Sequence, residues 1–231
     1  MYIGCANIRN FPDMTPAKVR ADGKRMGELT TLWGQQENDP GEDNPQVAGA
    51  LGDGWAVAHQ TTNLPVWYRE DIYRVTGARV LDMPFKPVLP LTPRPRLVTG
   101  TTFVIRARPN VPRFVIVNVH FIAGAYNGDL AEADHRRRQR QWDIEWIQLQ
   151  EFIGDYKRKG RTVFVMGDFN HPRPPRPTSN FMWLCGERLD RIGVTRTGAT
   201  EVEELDSGVV ELNSDHNGQW TRVIVSAGER A

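Results

Sequence analysis

Five segments of the sequence place residues that can bind a metal ion or transfer a proton beside an apolar run. Four of them follow a run typical of a buried strand, and the fifth precedes one. Polar side chains at strand ends that meet at one edge of a sheet can assemble a site. The residues are Asn7, Glu37, Asn118 with His120, Asp168 with Asn170, and Asp215 with His216.

These residue types match the requirements of phosphodiester hydrolysis. The phosphate charge must be neutralised, a water molecule must be activated and the departing oxygen must be protonated. Glu37 is a carboxylate, the kind of ligand that Mg²⁺ prefers, and the amides of Asn7 and Asn170 can donate to a phosphate oxygen. Histidines such as His120 and His216 titrate near neutral pH and are suited to acid–base catalysis.

Six short motifs, taken together and in order, resemble those of the deoxyribonuclease-I-like endonuclease/exonuclease/phosphatase superfamily. They span nearly the whole chain, and Gly-Asp-Phe-Asn and Ser-Asp-His are the most specific pair. The resemblance implies an α/β fold, a four-layer α/β/β/α sandwich of two packed sheets flanked by helices. The motifs are Asn7-Ile8-Arg9, Gln36-Glu37, Asn118-Val119-His120, Gly167-Asp168-Phe169-Asn170, Leu189-Asp190-Arg191-Ile192 and Ser214-Asp215-His216.

The same resemblance assigns roles to the matching residues. It implies that Glu37 is the principal ligand of Mg²⁺, or of Mn²⁺, with Asn7 and Asp215 close to it. Asp168 would bind a metal or orient the attacking water, and Asn170 would hold the phosphate. His216 would be a general acid/base held by Asp190, because a neighbouring carboxylate fixes the imidazole tautomer and favours its charged form.

His120 matches a second histidine that secreted nucleases of this superfamily share, but one departure affects its role. In those nucleases a carboxylate just before the strand that here ends at Tyr68-Arg69 pairs with this histidine. The corresponding residues here are Thr61-Thr62-Asn63, with no acid. We therefore expect His120 to bind phosphate as a donor more than to shuttle protons. Alternation along the strand places Asn118 on the same side as His120, which makes it a substrate-binding candidate.

The elements that must position these residues follow from periodicity and from turn signals. A stripe of Trp142, Trp146, Leu149, Ile153 and Tyr156 predicts one long amphipathic helix, and five prolines between Pro84 and Pro95 indicate an extended loop. Strands before and after the long helix predict two packed sheets in a single domain, residues 1–231. The predicted helices cover residues 15–32, 44–52 and 129–159, and the predicted strands cover residues 2–8, 32–37, 55–59, 64–68, 101–106, 114–120, 162–166, 189–194 and 218–225.

Composition restricts the function only weakly. A formal net charge of +1 over 231 residues gives no overall basic character, so affinity for nucleic acid must come from local patches. The run Arg136–Arg140 either solvates a helix face or contacts a phosphate backbone together with Arg173 and Arg176. Arginine suits the second role because its planar fork binds two phosphate oxygens. We take Arg137, Arg140 and Arg173 as the substrate-binding candidates.

These observations predict a metal-dependent phosphodiesterase, with a nuclease acting on DNA or RNA as the first hypothesis. A small-molecule or lipid phosphoesterase of the same superfamily is the alternative, since it would share the metal centre. The sequence has no amphipathic membrane-binding stretch that would favour a lipid. A non-catalytic binding module is disfavoured because every acid, amide and histidine position is present.

The remaining features predict a cytoplasmic protein without a membrane anchor or an obligate protein partner. The first residues lack a basic leader and a cleavage pattern, and no apolar run is long enough to cross a bilayer. Cys5 and Cys185 are the only cysteines. We expect two buried free thiols in a reducing compartment, with a single disulfide as the alternative.

Overall fold

The computed structural model describes residues 1–8, 13–82, 97–126, 130–197 and 199–228. The helices within these residues are α1 (Pro16–Leu29), α2 (Asp43–Leu51) and α3 (Glu132–Arg158). The strands are β1 (Tyr2–Asn7), β2 (Leu32–Gln36), β3 (Trp55–Ala58), β4 (Val66–Arg69), β5 (Tyr73–Asp82), β6 (Leu97–Ile105), β7 (Phe114–His120), β8 (Thr162–Asp168), β9 (Phe181–Glu187), β10 (Asp190–Thr195), β11 (Thr200–Val210) and β12 (Gly218–Ala227).

The strands form two mainly antiparallel sheets of six. The first sheet has the order β11-β12-β1-β2-β4-β3, and the second has the order β5-β6-β7-β8-β10-β9. Each sheet contains one parallel pair, β1 with β2 and β7 with β8. The chain between the strands of each parallel pair contains a helix, α1 in the first sheet and α3 in the second, as a parallel crossover requires.

Three apolar layers hold these elements together. Residues such as Ile3, Leu32, Ile116 and Phe164 fill the space between the two sheets. A second layer joins α3 to the outer face of the second sheet, and a third joins α1 and α2 to the outer face of the first sheet. The predicted four-layer α/β/β/α sandwich is therefore confirmed.

The long helix α3 has the predicted buried stripe. Trp142, Trp146, Leu149, Ile153 and Tyr156 are all buried against the second sheet. Helix α1 begins as predicted, with Thr15 accepting a hydrogen bond from the Lys18 amide at 3.3 Å and Pro in the first turn. It ends at Leu29, before the expected end at residue 32, because the Thr31 amide already donates to the Tyr2 carbonyl of the sheet.

Three strands were not predicted: β5, β9 and β11. Each lies at an edge of its sheet, where one strand face can be solvated and the apolar pattern weakens. In β5 and β11 most residues are partly or fully exposed. The predicted loop between Pro84 and Pro95 and the predicted helix start at Asp129 lie outside the described residues. Within the described part of the chain, no helix is both long and apolar enough to cross a membrane.

Candidate active site

Six strand ends meet at one edge of the paired sheets, and this convergence explains the spacing of the candidate residues. Asn7 at the end of β1 is in register with Gln36 at the end of β2. His120 at the end of β7 is in register with Asp168 at the end of β8. Because β10 runs antiparallel to β8, its first residue, Asp190, is also beside Asp168. The start of β12, just after His216, lies at the same edge because β12 is antiparallel to β1.

A cavity of about 310 Å³ lies at this edge. Most of the predicted catalytic and metal-binding side chains form its wall, whereas Asn7 is fully buried beside it and bonded to Asp168. The predicted residues in the wall are Glu37, His120, Asp168, Asn170, Asp190, Asp215 and His216.

Asp168 is at the centre of the site. Its Oδ1 accepts a hydrogen bond from the Asn170 backbone amide at 2.7 Å, and its Oδ2 accepts one from Asn7 Nδ2 at 3.3 Å. Burial and the charge of Asp190 raise the pKa of Asp168 to about 7, although His216 opposes the shift. Gly167 has φ 134°, and a Cβ there would lie 2.0 Å from the Val119 carbonyl oxygen. Only glycine therefore fits at residue 167, directly before the aspartate that lines the cavity.

His216 and Asp190 form a close pair. Their Nδ1 and Oδ2 atoms are 2.6 Å apart, and Asp168 Oδ2 is 3.9 Å from the same ring nitrogen. Burial opposes a charge on His216, but the hydrogen bond and charge of Asp190 outweigh it and raise the pKa of His216 to about 9. The imidazole is thus held protonated at neutral pH, with Nδ1 donating to Asp190.

His120 has two carboxylate neighbours, although residues 61–63 contain no acid. Its Nε2 is 3.4 Å from Glu37 Oε1 and 3.7 Å from Asp168 Oδ2. Glu37 is the residue that follows β2. Its backbone has φ 58°, in a region that non-glycine residues seldom adopt. The acidic neighbours of His120 thus come from the ends of β2 and β8 and not from residues 61–63, and the prediction that His120 binds phosphate stays a prediction.

One buried oxygen suits a metal ion. Asn7 Oδ1 is buried without a hydrogen-bond partner among the described residues, while its Nδ2 is used by Asp168. A buried carbonyl oxygen without a donor is costly, and a hard cation ligated by carboxylates would satisfy it. Asp168, Asp190 and His216 also have ligand atoms within 4.8 Å of one another. Asp190 and His216 are already hydrogen-bonded to each other. We therefore favour Asn7, Glu37 and Asp168 as the metal ligands, with the exposed Asp215 nearby.

Asn118 does not line the cavity, which corrects its assignment to substrate binding. Its side chain is fully buried and joins the two sheets: Oδ1 accepts Gln36 Nε2 at 2.6 Å, and Nδ2 donates to the carbonyls of Gln35 and Pro65 at 2.8 and 3.1 Å. Gly34 makes room for it, since a Cβ there would lie 2.8 Å from the Asn118 amide. The amide is fully used in holding β7 against the first sheet.

The three candidate arginines are exposed and lie outside the cavity wall. Arg137 is 3.7 Å from Asp134 of its own helix, which favours the solvated-face interpretation for that residue. Arg140 and Arg173 make no side-chain ion pair with any residue that the structure describes. They remain candidates for contact with a substrate that extends beyond the cavity.

Two residues with clear structural roles were missed. Arg188 lines the cavity from the turn before β10, and its position next to the Leu189-Asp190 motif was the available signal. Asp22 is on the buried face of α1 with Val19 and Met26. It binds the segment that carries His216, accepting the Asn213 backbone amide at 2.9 Å and Asn213 Nδ2 at 2.7 Å. A carboxylate on an apolar helix face at i+3 and i−4 spacing was the signal for Asp22.

Comparison with known proteins agrees with this architecture. The family model described as the Endonuclease/Exonuclease/phosphatase family matches residues 36–216. The match begins at Gln36 and ends at His216, so it contains every candidate cavity residue. A search of curated proteins found no match.

Solved structures share the fold over nearly the whole chain. A functionally unknown conserved protein from Enterococcus faecalis has a TM-score of 0.72 at 15% identity, covering 98% of this chain and 100% of that one. A Bacteroides thetaiotaomicron mannosyl-6-phosphatase has a TM-score of 0.69 at 14% identity, covering 97% and 99%. D. rerio TDP2 in complex with a single-stranded DNA product has a TM-score of 0.69 at 12% identity, covering 97% and 98%.

Proposed function

Since the chain belongs to the endonuclease/exonuclease/phosphatase family, whose members are phosphoric ester hydrolases, we propose that it is a metal-dependent phosphodiesterase that hydrolyses nucleic acid. One observation carries this proposal. The carboxylates of Glu37, Asp168 and Asp190 and two histidines converge on a single cavity, and the unpaired oxygen of Asn7 is buried beside it. No simpler structural role accounts for so many buried polar groups at the edge of an otherwise apolar core.

The metal would be held by Glu37, Asp168 and Asn7 Oδ1, with Asp215 at the rim. Oxygen ligands of this kind suit Mg²⁺ and also Mn²⁺. The ion would act as a Lewis acid that neutralises charge on the phosphate.

The two perturbed groups are suited to different proton-transfer roles. His216, with a pKa of about 9, carries a proton at neutral pH and can donate it to the departing oxygen as the P–O bond breaks. Asp168 is a carboxylate whose pKa is raised by burial and by the charge of Asp190 in the metal-free protein, and it is suited to orient the attacking water and accept its proton. Asp190 positions the imidazole.

His120 and Asn170 are placed to bind the phosphate. His120 Nε2 lies 3.4 Å from Glu37 Oε1 and 3.7 Å from Asp168 Oδ2, beside the residues that would hold the metal. Asn170 donates one amide hydrogen to the Phe121 carbonyl at 2.9 Å, which holds its side chain at the cavity wall. Both side chains line the cavity.

The nucleic-acid assignment rests on two exposed arginines that lie outside the cavity wall. Arg140 and Arg173 are exposed on segments that follow His120 and Asn170 in the chain, and an extended polyanion can reach beyond the cavity to such residues. The structural neighbour that is bound to a single-stranded DNA product has the same fold. Two unbonded cysteines, Cys5 and Cys185, fit our further proposal of a cytoplasmic location.

Hydrolysis of a small phosphate ester is the second candidate. A cavity of about 310 Å³ is at the small end of the range for small-molecule sites, and another structural neighbour is a mannosyl-6-phosphatase. For such a substrate Arg140 and Arg173 would be irrelevant, which separates the two candidates.

The experiment assays purified protein with Mg²⁺ or Mn²⁺ on plasmid DNA, single-stranded DNA, RNA, sugar phosphates and sphingomyelin. We expect cleavage of nucleic acid that chelation abolishes, and a loss of about 100-fold or more in Glu37→Gln. Glu203→Gln, an exposed glutamate on β11, is the matched control. Activity that survives chelation, or equal rates for the two variants, would contradict the metal-dependent assignment.

The substrate class is tested by salt dependence. Binding of DNA should weaken with salt by a slope of about −0.9 per phosphate contact, and Arg140→Gln with Arg173→Gln should flatten that slope by about one to two units. Turnover of a minimal diester should change little in the same double variant. Shallow, identical slopes together with turnover of a sugar phosphate would favour the second candidate.

A further inference from the structure

The connection between β9 and β10 has an unusual backbone conformation. Glu187 pairs with Asp190, so Arg188 and Leu189 alone form the turn. Arg188 has φ 51°, in the left-handed region that two-residue hairpin turns require and that glycine or asparagine usually fills. A long side chain in such a conformation is disfavoured, and strained residues of this kind cluster at functional sites.

The rest of the turn is firmly held. The Leu189 carbonyl accepts the Phe169 amide at 3.0 Å. The next arginine, Arg191, donates to the Pro172 carbonyl at 2.6 Å and lies 5.8 Å from the centre of the Trp183 ring. Arg191 is thus committed to packing, whereas the Arg188 side chain is exposed. Among the residues that the structure describes, no hydrogen bond or ion pair engages the Arg188 guanidinium.

The charge of the cavity shows what Arg188 could bind. Five carboxylates line the wall, and Arg188 is the only lysine or arginine among the described residues that do so: the acids are Glu37, Asp168, Glu187, Asp190 and Asp215. A phosphate entering this wall would face strong repulsion unless cations offset it. A guanidinium offers two parallel donors that match two phosphate oxygens.

We propose that Arg188 binds the phosphoryl group of the substrate, donating to its oxygens from the β9–β10 turn. The proposal rests on the proposed function, because it gives that site its cationic phosphate contact. It also explains why an arginine occupies a position that glycine would fill with less strain. The rigid turn holds the base of the side chain in place, so the guanidinium is presented at the rim of the cavity.

The test uses substitutions that suit the turn but remove the charge. Arg188→Gly and Arg188→Asn fit the left-handed conformation, so their melting temperatures should equal or exceed that of the wild type. Their kcat/KM on a phosphodiester should nevertheless fall about 10- to 100-fold, the effect of losing charge-assisted hydrogen bonds. Arg188→Lys, which keeps the charge without the fork, should be intermediate. Arg196→Gln is the matched control, an exposed arginine just beyond the opposite end of β10.

A binding measurement separates this inference from the proposed function. Inorganic phosphate is titrated calorimetrically in the presence of Mg²⁺, and its dissociation constant should rise about 10-fold or more in Arg188→Gly but not in Arg196→Gln. An inactive wild type that binds phosphate through Arg188 would refute the proposed function and support this inference. An active wild type whose Arg188→Gly and Arg188→Asn variants match it in kcat/KM and in phosphate affinity would overturn this inference alone.

Discussion

Asp22 should control the active site from a helix that does not touch the cavity. Its side chain is fully buried on α1 and accepts the Asn213 backbone amide at 2.9 and 3.1 Å and Asn213 Nδ2 at 2.7 Å. Asn213 leads directly into Ser214, whose hydroxyl donates to the Asn7 carbonyl at 2.7 Å, and then into His216. Asp22→Ala removes the acceptor for two donors.

The expected magnitudes follow from those contacts. Asn213 is exposed as a whole, so water can replace part of what is lost, and the free energy of unfolding should fall by about 1–3 kcal/mol. Displacement of the segment that holds His216 should raise the activation free energy by an amount comparable to the loss of stability. We expect kcat/KM to fall about 10- to 100-fold, the scale for a misplacement of about 1 Å.

A side-chain exchange provides the sharpest assay. Asp22→Asn and Asn213→Asp should each be impaired, the second by placing two carboxylates together, whereas the double variant restores a donor–acceptor pair. The double-mutant cycle should give a coupling of about 1 kcal/mol or more in unfolding, with matching recovery of kcat/KM. Arg20→Gln, which alters an exposed arginine on the same helix, is the control. If Asp22→Ala lost stability but kept the wild-type kcat/KM and the wild-type His216 pKa, the reasoning would be refuted.

Two further predictions concern titration. The pKa of His216 in the metal-free protein is about 9, above its ordinary 6.5, so the stability that it adds is complete below 6.5 and lost as pH rises through 9. The excess in unfolding free energy of the wild type over His216→Gln should therefore shrink between about pH 6 and about pH 10, and a constant difference would contradict the assignment. Burial raises the pKa of Cys185 to about 12 and that of Cys5 well above its ordinary value, so neither thiol should react with a thiol reagent at neutral pH until the protein is denatured. Reaction of either thiol in the native protein at neutral pH would contradict these raised pKa values.

Local sequence patterns were sufficient to predict a helix or strand where one side of the element is buried. The stripe from Trp142 to Tyr156 fixed the position of α3, and the β-branched run Phe114–His120 gave β7 its bounds. Polar residues at the ends of such runs identified the site, because parallel strands bring their C-terminal ends to one edge. The free state predicted for Cys5 and Cys185 is confirmed as well, but only Cys5 is buried as predicted, and Cys185 is partly exposed.

Contacts between distant segments could not be predicted in the same way. Asp22 and Asn213 are separated by 191 positions, and no local period links them. Asn118 and Gln36 meet only because the two sheets stack, so the polar pattern around Asn118 was taken for a substrate contact. The neighbours of His120 were missed for the same reason, since Glu37 belongs to the other sheet.

The amide of Asn118 links the cavity to the interior of the protein. It joins β7 to β2 two residues before His120, and Gln36, its partner, directly precedes Glu37. Heat or denaturant can therefore separate Glu37 from His120 only by sliding one sheet over the other, which disrupts the apolar layer between them. Enzymes whose catalytic groups sit on mobile loops lose activity before they unfold. In this protein the loss of the Glu37–His120 arrangement and the loss of tertiary structure should therefore occur in one transition.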